Sequence, residues 1–197
     1  MTNDQPISSP STSFIPSGTD VADIRRRINR PVVLVGMMGV GKSTVGKKLA
    51  ALLQLPFFDA DDEIEAAAQL SISEIFDQFG ESYFRDGERR VIARLMDKGP
   101  AVVATGGGAF IQNETRELVL EKSVSIWLDS DEETLVERVT RKDTRPLLRD
   151  GNPRDIVSRL KQEREPYYRK AALHVVSDSG PHQHTVLKIL EALDTWL

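Results

Sequence analysis

The chain contains no cysteine among its 197 residues. Disulfide bridges and thiolate metal ligands are therefore excluded, which is typical of proteins that work in a reducing cytoplasm. Long apolar runs are also missing, and none approaches the roughly 20 residues that a membrane-spanning helix needs. We therefore expect a cytoplasmic protein that does not contact a membrane.

An excess of positive charge is missing as well. The 26 Lys and Arg residues are outnumbered by 30 Asp and Glu residues, and the formal net charge is −4. The basic run Arg25-Arg26-Arg27 is short. These values argue against the basic face by which proteins bind nucleic acid. The hydrophobic content of 40% is ordinary for one soluble domain, and we expect a monomer.

Residues 1–30 differ in composition from the remainder of the chain. The first 20 residues are rich in Ser, Thr and Pro and contain few aliphatic side chains, which is typical of a disordered tail. Residues 21–29 can form a short helix. Residues 31–197 are expected to form one domain of ordinary size.

Short apolar runs alternate with helical patterns from residue 31 onward. The predicted strands cover residues 32–35, 57–58, 101–104, 124–128 and 173–176. The predicted helices cover residues 42–53, 61–69, 72–78, 84–98, 113–122, 131–141, 153–170 and 185–196. Apolar strands that alternate with helices indicate a parallel, doubly wound α/β sheet. Residues 141–153 are polar and rich in turn formers, which predicts a mobile loop.

The segment at residues 36–43 reads Gly-Met-Met-Gly-Val-Gly-Lys-Ser and lies between the first predicted strand and a helix. This is the Walker A pattern of a phosphate-binding loop, in which glycines let backbone N–H groups converge on one anion. The helix N-terminus adds partial positive charge. Lys42 can reach the β- and γ-phosphates of ATP, and the Ser43 hydroxyl can bind Mg²⁺.

Two carboxylates, Asp59 and Asp61, follow the second predicted strand. Ligands of open α/β sheets bind beyond the carboxyl ends of the strands. At that place Asp59 could hold Mg²⁺ through a water molecule, and Asp61 could orient or deprotonate an acceptor hydroxyl. A helix N-cap followed by first-turn acids is an equally good interpretation of the same residues.

An arginine and a glutamate, Arg85 and Glu88, lie three residues apart in a predicted helix. The guanidinium group can bind a carboxylate through two parallel hydrogen bonds, and Glu88 on the same helix face can hold it in position. The alternative is a surface ion pair without a function.

The third predicted strand runs into Thr105-Gly106-Gly107-Gly108. Three glycines at a strand end allow the backbone to approach a ligand closely, although a flexible loop is the alternative. Further along, Arg145 lies in the predicted mobile loop, where closure could bring it to a transferring phosphate. Arg164 could be a second ligand of a carboxylate. Each arginine alone reads as an ordinary surface residue.

Together these segments resemble the shikimate kinase family. The resemblance covers residues 31–197 and rests on Walker A followed, in family order, by Asp-Ala-Asp, Phe-Arg, Thr-Gly-Gly-Gly, Arg-Pro-Leu-Leu and Arg-x-Pro-x-Tyr. It implies transfer of the γ-phosphate of ATP to the 3-hydroxyl of shikimate, in the chorismate branch of aromatic amino-acid biosynthesis. It also implies a five-stranded parallel sheet of order 2-3-1-4-5 with a lid, as in nucleoside-monophosphate kinases.

The resemblance further implies roles for individual residues. Three would be catalytic, with the first as the base and the last in the lid: Asp61, Lys42 and Arg145. Shikimate would contact Asp61, Phe76, Phe84, Arg85, Gly106, Gly107, Gly108 and Arg164. ATP would contact Gly36, Met38, Gly39, Val40, Gly41, Lys42, Ser43, Thr44, Arg138 and Arg145. Mg²⁺ would bind Ser43 directly and Asp59 through water.

The chain departs from the family pattern in two places. The third strand is followed by Thr105 instead of a Walker B aspartate, which leaves Ser43 as the direct protein ligand of Mg²⁺. Family members often carry a basic or polar adenine contact just after the last strand. Here residues 179–184 read Ser-Gly-Pro-His-Gln-His, and we expect the adenine contact to come largely from the backbone.

Other classes fit the residues less well. A nucleoside-monophosphate kinase would need a site that reads a base, whereas gluconate kinase, which also phosphorylates a hydroxy acid, is a nearer alternative. A GTP-binding switch would show Asn-Lys-x-Asp, and residues 140–143 read Thr-Arg-Lys-Asp. A binding module without catalysis would be expected to lose Lys42, Ser43 or Asp61, and all three are present.

Overall fold

A computed structural model describes residues 20–140, 152–177 and 180–197. One sheet holds five strands, namely β1 (Val32–Val35), β2 (Phe57–Asp59), β3 (Val102–Ala104), β4 (Val124–Asp129) and β5 (Leu173–Val176). Their order is β2-β3-β1-β4-β5, and every neighbouring pair is parallel. The predicted fold class and strand order are therefore confirmed.

Helices connect the strands on both sides of the sheet. They are α1 (Val21–Arg27), α2 (Lys42–Leu53), α3 (Ala60–Ala68), α4 (Ile72–Met96), α5 (Asn113–Lys122), α6 (Glu132–Thr140), α7 (Pro153–Tyr168) and α8 (His182–Trp196), with a short 3₁₀ turn at Ala109–Ile111. The two helices predicted over 72–78 and 84–98 are joined into α4. Their junction is Gly80, whose φ of 79° breaks the helical geometry. Of the loop predicted over residues 141–153, residues 141–151 with Arg145 lie outside the described residues, whereas Asn152 and Pro153 are the N-cap and first residue of α7.

Burial divides the sheet into a centre and two edges. Every residue of β1 is 0% exposed, and β3 is buried as well, because helices cover both faces of these central strands. The edge strands β2 and β5 are partly exposed. Ile24 of α1 and Ile28 are buried in the same core, so the short helix predicted over 21–29 exists and packs on the domain.

A second, smaller hydrophobic cluster lies between α3 and α4. It contains Ile64, Ile75 and Phe84, with Phe76 packed against it. A capping box at Ser71 and Glu74 starts α4 beside this cluster. The segment formed by α3 and α4 thus has its own small core next to the main one.

The carboxyl ends of all five parallel strands meet at one edge of the sheet. At this edge β1 leads into the Walker A loop, β2 into Asp59 and β3 into the glycine run. The topology therefore brings three separate sequence segments to one place. None of the described helices is long and apolar enough to cross a membrane.

Candidate active site

The Walker A loop has a backbone that only glycine permits at its key positions. Gly36 has a φ of 138°, and a methyl group added there would come within 2.2 Å of the Leu128 carbonyl oxygen. Gly41 has a φ of 99° and is the N-cap of α2. The loop therefore turns tightly against β4 and aims the first backbone N–H groups of α2 at the site, as anion binding requires.

Lys42 is folded over this loop. Its Nζ donates hydrogen bonds to the carbonyl oxygens of Gly36 at 2.8 Å and Met37 at 2.9 Å. The residue is only 9% exposed. The ammonium group is thus held at the N-terminus of α2, next to the amides that would receive a phosphate.

The hydroxyl of Ser43 donates a 2.6 Å hydrogen bond to Oδ2 of Asp59. The other carboxylate oxygen of Asp59 accepts from the backbone N–H of Asp61 at 3.1 Å and caps α3. The helix-cap interpretation of Asp59 is therefore confirmed, and its contact with Ser43 also places the carboxylate beside the phosphate loop. Hydroxyl and carboxylate oxygens are the donors that Mg²⁺ prefers, so this pair fits the ion.

Thr105 stands where a Walker B aspartate would follow β3. Its Oγ1 donates to the Leu34 carbonyl oxygen at 3.1 Å, its backbone N–H donates to the same oxygen, and the residue is 4% exposed. Thr105 therefore ties β3 to β1. No group of three or more His, Asp or Glu residues that could hold a metal occurs within the described ranges. A magnesium ion shared with phosphates does not require one, since it keeps waters and needs only one or two protein ligands.

The glycine run after β3 packs against acidic and basic side chains. A methyl group added at Gly106 would come within 2.8 Å of Glu88 Oε1 and 2.9 Å of Asp61 Oδ1. One added at Gly108 would come within 2.5 Å of the Arg85 guanidinium. Because the glycines have no side chains, Asp61, Arg85 and Glu88 can approach the same stretch of backbone. The glycine run is therefore closely packed, which favours close approach over the alternative of a flexible loop.

Arg85 and Glu88 form a buried ion pair on α4. Arg85 Nη1 lies 2.7 Å from Glu88 Oε2, and the glutamate is 1% exposed. Burial raises the pKa of Glu88 although Arg85 opposes the shift. Burial alone would lower the pKa of Arg85, but the charges and hydrogen bonds of Glu88 and Glu81 together outweigh it, so the arginine pKa is raised. The alternative interpretation of Arg85 and Glu88 as a surface ion pair is therefore wrong.

Arg164 and Tyr168 reach the glycine run from α7. Arg164 Nη1 donates to the Gly107 carbonyl oxygen at 3.4 Å, and the Tyr168 hydroxyl donates to the same oxygen at 2.5 Å. A methyl group at Gly107 would lie 3.2 Å from the backbone nitrogen of Met38. Gly107 is therefore sandwiched between the phosphate loop and Arg164.

Arg138 and His182 flank the opposite side of the phosphate loop. Arg138 Nη1 donates to the Val40 carbonyl oxygen at 3.3 Å. A methyl group at Gly41 would lie 3.1 Å from Cε1 of His182 and 3.9 Å from Arg138 Nη1. From the sequence we expect the adenine contact in residues 179–184 to come largely from the backbone.

The environment of His182 is distinctive. Burial lowers the pKa of this histidine, and the positive charges of Arg138 and Lys48 lower it further. Its Nδ1 is buried and has no hydrogen-bond partner among the residues that the structure describes. The only signal in the sequence that could have identified His182 is its position after β5. Its contact with the phosphate loop depends on where α8 begins.

Comparison with known proteins decides the family. The family model described as shikimate kinase matches residues 38–194. The chain belongs to the shikimate kinase family. The shikimate kinase of Novosphingobium aromaticivorans is 61% identical over 185 residues, which cover 92% of this chain and 96% of that protein. The shikimate kinase of Caulobacter vibrioides is 55% identical and covers 88% of this chain and 86% of its own.

Solved structures agree with this assignment. The shikimate kinase of Acinetobacter baumannii in complex with shikimate has a TM-score of 0.81 and 36% identity, and the match covers 84% of this chain and 93% of that chain. The shikimate kinase of Aquifex aeolicus has a TM-score of 0.73 and 34% identity, over 83% of this chain and 96% of its own. A gluconokinase of Sinorhizobium meliloti, with a TM-score of 0.56 and 18% identity, shares the fold.

Most residues that the likeness to shikimate kinases predicts come together in two groups. Asp61, Arg85 and Arg164 surround the glycine run, and Arg138 lies at the other side of the phosphate loop. The predicted aromatic pair belongs to the small core of α3 and α4. The rings of Phe76 and Phe84 are 4.6 Å apart, but Phe84 is 4% exposed and packs in the small core of α3 and α4.

Proposed function

We propose that this shikimate kinase transfers the γ-phosphate of ATP to the 3-hydroxyl of shikimate and forms shikimate 3-phosphate, in the chorismate branch of aromatic amino-acid biosynthesis. One observation carries the proposal. The Gly107 backbone packs between the phosphate loop, at Met38, and the guanidinium of Arg164. The proposed phosphate site and the proposed carboxylate site would therefore lie close together, and transfer between two bound substrates depends on such proximity.

The acceptor site takes a small molecule that carries both a carboxylate and hydroxyl groups. Arg85 and Arg164 would bind the carboxylate, since guanidinium groups bind carboxylates with defined geometry. Asp61 approaches Gly106 beside Glu88 and would accept a hydrogen bond from the 3-hydroxyl. The arginines would fix the ring orientation and thereby select which hydroxyl faces the donor. Backbone groups of the glycine run and the partly buried Phe76 would complete the pocket.

The donor site holds ATP through the loop amides and the two flanking residues Arg138 and His182. Lys42 would exchange its two loop carbonyls for phosphate oxygens, which carry more negative charge. Mg²⁺, held by Ser43 directly and by Asp59 through water, would supply further charge neutralisation. Arg145, outside the described residues, would do the same from the lid.

The reaction then needs little covalent chemistry from the protein. The 3-hydroxyl oxygen attacks the γ-phosphorus, its proton passes to Asp61, and the bond to the β,γ-bridging oxygen breaks to release ADP. Alignment of the two substrates contributes more than the base does. Replacing Asp61 with asparagine should therefore lower kcat while the protein still binds ATP.

A coupled assay of ADP release tests the proposal, with shikimate, gluconate, AMP and water as acceptors. We expect rapid turnover with shikimate alone. Absence of stimulation by shikimate would overturn the proposal, and faster turnover with gluconate would assign the chain to a different acceptor. An Asp61→Asn variant with full turnover would remove the base from the mechanism but leave the substrate assignment intact.

We also propose that the chain acts as a monomer in the cytoplasm, without nucleic acid or membrane. The substrate ATP and the absence of cysteine fit a reducing compartment. Size-exclusion chromatography with light scattering would test the first part. A dimer whose dissociation abolishes turnover would contradict it.

A further inference from the structure

Tyr168 ends α7, four residues after Arg164, so both side chains lie on the same helix face. The two side chains also share one acceptor. The Tyr168 hydroxyl donates to the Gly107 carbonyl oxygen at 2.5 Å, whereas Arg164 Nη1 reaches the same oxygen at only 3.4 Å. The tyrosine is thus the main donor, and the arginine makes a weak, long contact.

The ring of Tyr168 is held in place by the core. The residue is 1% exposed, and its ring centroid lies 6.1 Å from that of Trp127 and 6.5 Å from that of Phe110. Trp127 belongs to β4 and pairs with Val35 at the end of β1. The hydroxyl therefore has a position that the sheet determines, independently of the surface.

A carbonyl shielded from water that loses its donor favours another donor if one is near, and Gly107 is partly buried. At Gly107 the near donor is Arg164, the guanidinium that the proposed function assigns to the substrate carboxylate. A guanidinium that donates fully to the backbone carbonyl is turned away from an incoming carboxylate, because its N–H groups have a fixed planar geometry.

We propose that Tyr168 is a positioning residue of the acceptor site, which satisfies the Gly107 carbonyl and so leaves the Arg164 guanidinium available to the carboxylate of shikimate. This inference rests on the proposed function. Tyr168 itself touches neither substrate in this scheme and acts only through Gly107 and Arg164.

The protonation of Tyr168 is consistent with such a role. Burial raises the pKa of its hydroxyl to about 12, so the group remains a donor at any pH at which the kinase would be assayed. The contribution of Tyr168 should therefore be the same across the activity range, unlike that of a group that titrates near neutrality.

The Tyr168→Phe variant tests the inference because it keeps the ring and both aromatic contacts and removes only the hydroxyl. We expect the KM for shikimate to rise about tenfold, which corresponds to the loss of one good hydrogen bond, while the KM for ATP stays within about twofold. Tyr167→Phe is the matched control, since Tyr167 is 36% exposed on the same helix. It should leave both KM values unchanged.

A second measurement keeps the test independent of folding. If the Tyr168 hydroxyl is the main hydrogen-bond donor to the Gly107 carbonyl oxygen, then Arg164→Lys should raise the KM for shikimate. It should not lower the melting temperature. In that background, Tyr168→Phe should raise the same KM by less than about twofold, because the two changes act on one interaction.

Three results would overturn the inference. The first is a shikimate KM of Tyr168→Phe within about twofold of the parent. The second is an equal rise in the KM of ATP and of shikimate. The third is a further rise of about tenfold in the shikimate KM when Tyr168→Phe is added to Arg164→Lys. Failure of the proposed function itself would look different, because the unmodified chain would then show no turnover with shikimate.

Discussion

Ser43 and Asp59 are joined by a 2.6 Å hydrogen bond although they follow strands that are not neighbours. Ser43 belongs to α2 after β1, Asp59 ends β2, and β3 lies between the two strands. The contact is possible because Thr105, at the end of β3, turns its hydroxyl back to the Leu34 carbonyl. A Walker B residue would follow β3, the direct neighbour of β1. The acid beside the proposed magnesium site instead comes from β2, which is one strand further from β1.

Replacement of Asp59 by asparagine should weaken Mg²⁺ binding without unfolding the protein. Asparagine still caps α3 but carries no charge. We expect the Mg²⁺ concentration for half-maximal turnover to rise at least about tenfold, as for other outer ligands. A magnesium titration at saturating substrates measures it. Asp62→Asn, at an exposed acid on the same helix, is the control, and an unchanged titration for Asp59→Asn would remove this residue from the metal site.

Gly106→Ala should damage the acceptor site through steric conflict. Its methyl group would lie 2.8 Å from Glu88 Oε1 and 2.9 Å from Asp61 Oδ1, so both carboxylates must move. We expect kcat/KM for shikimate to fall about 100-fold, corresponding to ~3 kcal/mol. Steady-state kinetics at several shikimate concentrations give this value.

Gly87→Ala serves as the control for that experiment. Gly87 lies within α4, and an added methyl group would meet nothing within 4 Å. Alanine should stabilise the helix by about 0.5–1 kcal/mol, which a chemical denaturation curve resolves. Normal kinetics in Gly106→Ala would show that the two carboxylates need not stay in their present positions.

Glu88 should make the stability of the protein depend on pH. Its folded-state pKa is raised above 4.5 by burial, so the folded protein binds the proton more tightly than the unfolded chain. The contribution of Glu88 to stability is therefore complete below pH 4.5 and is lost as the pH rises through the folded pKa. The free energy of unfolding of the parent, relative to Glu88→Gln, should fall over this range.

Urea denaturation from pH 4.5 toward neutrality measures that difference. Glu81→Gln is the control, because Glu81 also accepts from Arg85 but its side chain is 65% exposed. A difference between the parent and Glu88→Gln that stays constant, or that grows with pH, would contradict the predicted direction.

His182→Ala should weaken ATP binding selectively. The ring packs beside Gly41 of the phosphate loop, so its removal should disturb the backbone that binds the nucleotide. We expect the KM for ATP to rise about fivefold, corresponding to ~1 kcal/mol, with the shikimate KM unchanged. The exposed His184 offers a matched control on the same helix. Equal effects on both substrates would argue for general damage to the fold.

Much of the site could be predicted because its signals are local. The Walker A loop follows from glycines at positive φ and from a strand and a helix on either side, and the glycine run follows directly after β3. Strand order came from the family resemblance, since nothing local in five short apolar runs states which of them pair. The residues assigned by resemblance remain predictions until the kinetic tests are made.

What the sequence could not show was burial. A carboxylate three residues from an arginine looks the same on a surface as in a core, and only packing against the glycine run makes the pair of Arg85 and Glu88 a buried one. The break between the helices predicted over 72–78 and 84–98 is a local feature, and the structure has it at Gly80.

The sequence by itself determined the elements and the chemistry at their ends, because backbone conformation, periodicity and glycine at positive φ are properties of neighbouring residues. The tertiary structure decided which ends meet. It placed Asp59 on Ser43, His182 beside Gly41 and Tyr168 on the Gly107 carbonyl, contacts between segments far apart in the chain. Such contacts depend on strand order and on the packing of whole helices, which no short stretch of sequence encodes.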